Sequence, residues 1–298
     1  PQVGFSRPYR LGGLFLAFAR RIHLTHYALP VRIPHYTLGG LPFAYPPLPF
    51  YVEAVLAFGL GLPEFLVVNL LPAAVSVLAL VAFFFLVKKL INNQLAQWAS
   101  LLLFAIYPAA FAESVEAAGL AESFGMIFPI LLILAFENYC RNPKHLPSLV
   151  LTSFVWALTV MASPGSAYLS VFIFFAFVII LSQKEPKQFK RQLPYLFGLG
   201  LLAVLLASVY WWPVVQRHGL GIFTGSFSAQ HDSGVFSLGF FIRLAEMTLI
   251  DASPLLTVLL LAALCVLILY QKSGWAFLTF FTMLIPREDW VLAVVGIL

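Results

Sequence analysis

An all-α, polytopic bundle of transmembrane helices is the fold class this sequence predicts, and three observations predict it. Hydrophobic residues fill 61% of the 298 positions and charged residues only 10%, giving a mean hydropathy of +0.95. Too few charges remain to clothe a water-soluble domain. The apolar residues come in long runs, and in hydrocarbon each backbone N–H and C=O must be satisfied within its own segment, which a helix achieves. Lysine and arginine gather between those runs, as in the loops of helical membrane proteins. The net charge of +5 therefore implies no nucleic-acid partner; the lipid bilayer is the expected one.

Residues 1–46 differ from the rest. They hold Arg7, Arg10, Arg20, Arg21 and Arg32, with His23, His26 and His35, and no acid. Leu11–Ile22 has apolar residues at helical spacing with arginines at one end, which predicts a short amphipathic helix lying in the interface. The prolines of Gly39–Phe50 break any helix there, and Tyr36, Tyr45 and Tyr51 suit a headgroup-level aromatic belt. Pro49–Gly61 reads as helical but too short to span. Residues 1–62 thus form a first outer loop with interfacial helices, and residues 63–298 a transmembrane helical domain.

In that domain the expected spans are 64–87, 94–111, 120–138, 147–162, 166–182, 193–212, 254–270 and 275–286, with Pro129 expected to kink the third. Phe236–Asp251 reads as a second interfacial helix, with Arg243 and Glu246 three apart on its polar face. The chain begins at Pro1 and ends in a nine-residue apolar run from Trp290, short of the roughly 20 residues a span needs. It reads as an internal fragment, truncated at both ends of the intact protein.

Orientation follows from the cations. Alternating the spans places Lys88, Lys89, Arg141, Lys144, Lys184, Lys187, Lys190, Arg191 and Lys272 on one side. That side is expected to be cytoplasmic. Residues 1–62, the 112–119 loop and the 213–252 segment then share the outer face. All lysines fall inside by this reckoning, whereas all arginines but Arg141 and Arg191 fall outside. Arginine's rigid fork suits bidentate phosphate binding. No cofactor is expected. Cys140 and Cys265 are too far apart in context to build a metal site, and the three early histidines lack neighbouring carboxylates, so a divalent metal is without support.

Phe111–Glu122 is the stretch around which the rest is organised. It carries Glu113, Glu116 and Glu122 between two apolar runs, and carboxylates next to hydrocarbon are costly to desolvate. Glu122 stands just before an expected span, where a helix N-terminus favours negative charge. Loop solvation alone is the alternative for each.

An arginine-rich first segment, a Tyr45-Pro-Pro segment and an acidic second loop, in that order, resemble the membrane glycosyltransferases of the GT-C class. Within it the chain looks closest to bacterial membrane proteins that carry a 6-pyruvoyl-tetrahydropterin-synthase-related domain label. The similar pieces are Leu29-Pro-Val-Arg-Ile-Pro34, Gly39-Gly-Leu-Pro-Phe-Ala-Tyr-Pro-Pro-Leu48, and Gly119-Leu-Ala-Glu-Ser-Phe-Gly125 followed by Pro129. Nothing in them suggests pterin chemistry. The resemblance covers roughly residues 5–140 and rests beyond that on layout.

It implies a GT-C-like fold in a bacterial plasma membrane, with sugar transfer at the outer face. The donor would be a polyprenyl-phosphate-linked sugar and the acceptor an unidentified hydroxyl. Glu122, with Glu116 and Glu113 behind it, is the implied catalytic base. Arg32, then Arg20 and Arg21, with His35 and Tyr45, are the implied substrate-binding residues. One departure stands out: the class carries an acid in its first outer loop just after a first span, whereas the first acid here is Glu53, inside a short helix. The rival readings are a non-catalytic scaffold for polysaccharide assembly and a transporter.

Overall fold

The structure, a computed structural model, describes residues 12–34, 40–106, 119–141, 145–184 and 186–222. The expected spans at 254–270 and 275–286, the helix Phe236–Asp251 and the end of the 94–111 span lie outside them. The described chain is helical apart from one small hairpin. In order come α1 (Gly12–Leu24), β1 (Arg32–Ile33), β2 (Leu41–Pro42), α2 (Leu48–Ala54) with a π-helical turn (Val55–Gly59), and α3 (Glu64–Leu90). Then follow α4 (Gln94–Ile106), α5 (Leu120–Arg141), α6 (Leu146–Ala162), α7 (Pro164–Lys184) and α8 (Pro186–His218).

Among the described residues four helices are long and apolar enough to cross a membrane: Glu64–Leu90, Leu120–Arg141, Pro164–Gln183 and Phe189–His218. The expected span at 147–162 is realised as α6, a 17-residue helix that rises about 26 Å, near the lower limit for crossing. The amphipathic Leu11–Ile22 segment is α1, two residues longer at its end. The expected Pro49–Gly61 helix is α2 plus the π-turn. Proline does not break α5, which runs past Pro129; Pro72, Pro194 and Pro213 also sit inside helices. The short strands were not foreseen: Arg32 pairs with Pro42 and Ile33 with Leu41, antiparallel. A two-residue strand carries too little pattern to announce itself.

The bundle is antiparallel, and its two ends differ. At one end Lys89 donates to Asn138, and Arg141 bridges Glu137 one turn back at 3.2 Å. At the other end α1, the hairpin and α2 pack on the starts of α3 and α5 and the end of α6. There Val75, Leu120, Phe124 and Ala162 share one buried cluster with Phe15, Phe18, Ile22 and Phe50. The tip of α8 closes on the same layer. Tyr210 donates its hydroxyl to the Ala44 carbonyl at 2.5 Å, and Arg217 donates to the Leu29 carbonyl at 3.0 Å.

The middle of the bundle is held by Phe83, Phe104, Ile130, Ile133, Phe136, Leu169, Ile173 and Leu199, all buried. Helix α6 is tied to its neighbours by side-chain hydrogen bonds. Thr152 donates to the Ala135 carbonyl on α5, Ser153 to Leu199 on α8, and the Trp156 indole N–H to Ser170 on α7. Each hydroxyl thereby satisfies itself where water is absent, which keeps polar groups tolerable in an apolar bundle.

Candidate functional site

The end capped by α1, α2 and the hairpin gathers most of the predicted site residues. Five rings knit that cap together. Phe50 lies 5.1 Å from Phe15, 4.9 Å from Phe18 and 5.7 Å from Tyr45, and Phe18 meets Phe43 edge-on at 5.2 Å. Tyr45, expected to touch substrate, thus has its ring in this cluster, against Phe15 and Phe50.

The arginines divide. Arg20 donates from Nη2 to Glu64 Oε2 at 2.5 Å, joining α1 to the first turn of α3. Arg21, one residue on and half-buried, has an Nε atom that meets no hydrogen-bond acceptor among the described residues. Arg32 is exposed on β1. His23 stacks on Phe58 at 5.1 Å and meets Tyr27 edge-on at 5.8 Å, so it belongs to the packing of the cap. Among the described residues no group of three or more His, Cys, Asp and Glu could hold a metal ion.

Glu122 occupies the first turn of α5, with Oε2 out of contact with solvent. It is flanked by the buried Leu120 and Phe124, which pack against the cap. Glu113, Glu116 and His35 lie outside the described residues. The structure therefore brings Glu122, Arg20, Arg21, Arg32 and Tyr45 to one end of the bundle.

Sequence reasoning noted Glu53 only as the first acid, inside a short helix, and gave it no role. Its side chain is fully buried, and neither carboxyl oxygen has a hydrogen-bond partner among the described residues. Burial above all, and next the negative charge of Glu64, push its carboxyl up to about 8. At neutral pH it is therefore mostly the uncharged acid, the only form that an apolar site without a donor or cation tolerates. A signal was present in the chain. Pro49, Phe50, Glu53, Ala54 and Ala57 recur at three- and four-residue spacing, and the carboxylate stands in the middle of that otherwise apolar face. Its four companions are all buried.

Chemically, this end offers a carboxylate at a helix N-terminus, a second carboxyl kept protonated by burial, and guanidinium groups along α1 and β1. Compared with known proteins, the chain matches no family model, no curated protein and no solved structure.

Proposed function

We propose that this chain is a membrane glycosyltransferase of GT-C type, moving a sugar from a polyprenyl-phosphate donor to a hydroxyl acceptor at the capped end of the bundle. That end is taken as the outer face because the lysines gather at the other. The observation that carries the reading is that the first turn of α5, which bears Glu122, shares one buried cluster with the arginine-bearing α1 and β1, although they are about a hundred residues apart in the chain.

In the proposed reaction the acceptor hydroxyl attacks the anomeric carbon while Glu122 takes its proton. The bond from that carbon to the phosphate oxygen breaks, and the lipid phosphate leaves with the bonding electrons. Arginine supports that departure by two parallel hydrogen bonds to the phosphate as its charge grows. Arg32 leads here, then Arg21 and Arg20, of which Arg20 also holds Glu64. Glu53, mostly protonated at neutral pH, is no candidate for the base.

Proteoliposomes of the protein given radiolabelled polyprenyl-phosphate sugars and a panel of hydroxyl acceptors test this. Wild type should transfer label, and Glu122→Gln should lower kcat by 10²–10⁴-fold, about the worth of a general base, with donor binding kept. Transfer that survives in Glu122→Gln would sink the assignment. Substrate counterflow without any transfer would replace it with a transporter.

A further inference from the structure

We propose that Glu53 is a proton-operated latch: with its carboxyl protonated, α1 and α2 stay docked on α3, α5 and α6, and loss of that proton favours their release. The inference stands apart from sugar transfer and needs no substrate.

Its first support is position. Glu53 is the centre of the packed face of α2, between Phe50 and Ala54, both buried in the cluster that joins the cap to the bundle. A neutral acid there forfeits only hydrogen bonds to water. A carboxylate there would be a bare charge with no donor among the described residues to receive it, and a protein relieves such a charge by moving it to solvent. The titratable groups at this end on the elements packed against α2 are Arg20, Arg21 and His23 on α1, Glu64 on α3 and Glu122 on α5. Helix α6 and the π-turn carry none. Arg20 is held by Glu64, and neither Arg21 nor His23 hydrogen-bonds Glu53. Of these charges, that of Glu64 is the one that bears on Glu53, and it opposes ionisation.

Its second support is a hinge. Helix α2 passes directly into the π-turn, closed by the Leu60 N–H on the Val55 carbonyl at 2.8 Å. The chain then runs Gly59-Leu-Gly-Leu-Pro63 into α3. Leu60–Pro63 is exposed, and Gly61 sits at φ +69° with nothing within 4 Å of where a β-carbon would be. Short π-helical segments recur at functional positions, and element-terminal residues absorb hinge motion. A buried protonatable group followed by an open, glycine-bearing joint is a two-state element with a trigger beside it.

The sign follows from linkage. Docked Glu53 holds its proton up to about 8, against an ordinary 4.5 for a solvated carboxyl. Docking is fully favoured below the ordinary value and weakens as pH rises through this window. The docked-to-released ratio falls by up to about tenfold per pH unit and is flat above the window.

The full chain in lipid nanodiscs tests this by two measurements. Difference infrared between wild type and Glu53→Gln should show one carboxylic-acid carbonyl band in wild type at pH 6 that fades as pH passes about 8. Hydrogen exchange, corrected for the intrinsic pH dependence of the chemistry, should show protection of residues 12–24 and 48–59 falling by up to about a hundredfold between pH 5.5 and 7.5. In Glu53→Gln and Glu53→Met that fall should vanish, while residues 130–136, in the mid-bundle core, stay unchanged in all three proteins. Equal falls in wild type and both variants would overturn the latch. Should neither variant fold, the wild-type titration decides: an acid band already lost near the ordinary 4.5 would overturn it as well.

Discussion

Gly125 on α5 comes so close to the α6–α7 turn that a β-carbon added to it would stand 2.6 Å from the Ser163 hydroxyl oxygen and 3.1 Å from the Ser163 β-carbon. That hydroxyl has little freedom to retreat. It receives the Ser166 N–H at 3.0 Å, while the Ser166 hydroxyl receives the Ser163 N–H at 3.1 Å. This reciprocal cap starts α7, with Pro164 at its first position.

Gly125→Ala is therefore expected to destabilise the protein by about 1–3 kcal/mol, the usual range for overpacking a tight contact. Gly198→Ala, in a helix with nothing within 4 Å of the added carbon, should be neutral or stabilising by up to about 1 kcal/mol from helix propensity. Thermal unfolding in one detergent, comparing the two variants, checks both. Equal melting temperatures would show that the α5 contact with the turn yields more easily than its geometry implies.

Glu53→Met should stabilise the cap. Holding a carboxyl protonated at pH 7, when its ordinary value is 4.5, costs about 3.5 kcal/mol at roughly 1.4 kcal/mol per pH unit. The gain over wild type should grow with pH from about 4.5 to about 8 and then level off, because only wild type takes up a proton on docking in that window. Urea titrations at pH 5 and pH 7 measure it; a gain independent of pH would contradict the buried-acid account.

Tyr210→Phe removes the hydroxyl that reaches the Ala44 carbonyl across 166 residues of sequence. The expected loss is about 0.5–1.5 kcal/mol, the net worth of one such bond. It should appear as faster hydrogen exchange in residues 40–46 with the α5–α6 core unaffected. An unchanged exchange rate there would mean that ring packing alone holds the hairpin.

His26→Gly should strengthen the end of α1. The Tyr27 N–H reaches back to the Ile22 carbonyl and the His26 N–H to the His23 carbonyl, both at 2.9 Å. His26 takes the left-handed conformation, φ 52°, in the place where such helix ends usually carry glycine. A gain of about 1 kcal/mol in unfolding free energy is expected from relieving the β-carbon there. A loss would mean that the His26 side chain makes a contact worth more than its strain.

Much of the fold was legible. Runs such as 64–87 and 120–138 announce helices by length and apolarity alone, since a bilayer leaves a segment few other ways to satisfy its backbone. Arg20 and Arg21 beside Phe15, Phe18 and Ile22 announced an amphipathic α1, because surface helices segregate polar from apolar residues at a fixed period. The α6 hydroxyls could not be read in this way. Ser153 and Thr152 are ordinary residues in the chain, and only the arrival of Leu199 and Ala135 makes them joints between helices.

The candidate site divides along the same line. Glu122 drew notice because an acid beside a long apolar run is costly wherever that run goes, and Arg32 because arginine's rigid fork suits a phosphate. Glu53 stood out only as the first acid of the chain and was given no role, since a single acid in a short helix is commonplace until its surroundings are known. The sequence by itself determined which segments are apolar enough to enter hydrocarbon and where charges collect, because those depend on each residue's own transfer free energy. Only the tertiary structure decided that Glu53 is sealed among Phe50, Ala54 and the bundle, and that Arg20 meets Glu64. Burial and pairing are properties of distant segments brought together, and no single segment carries them.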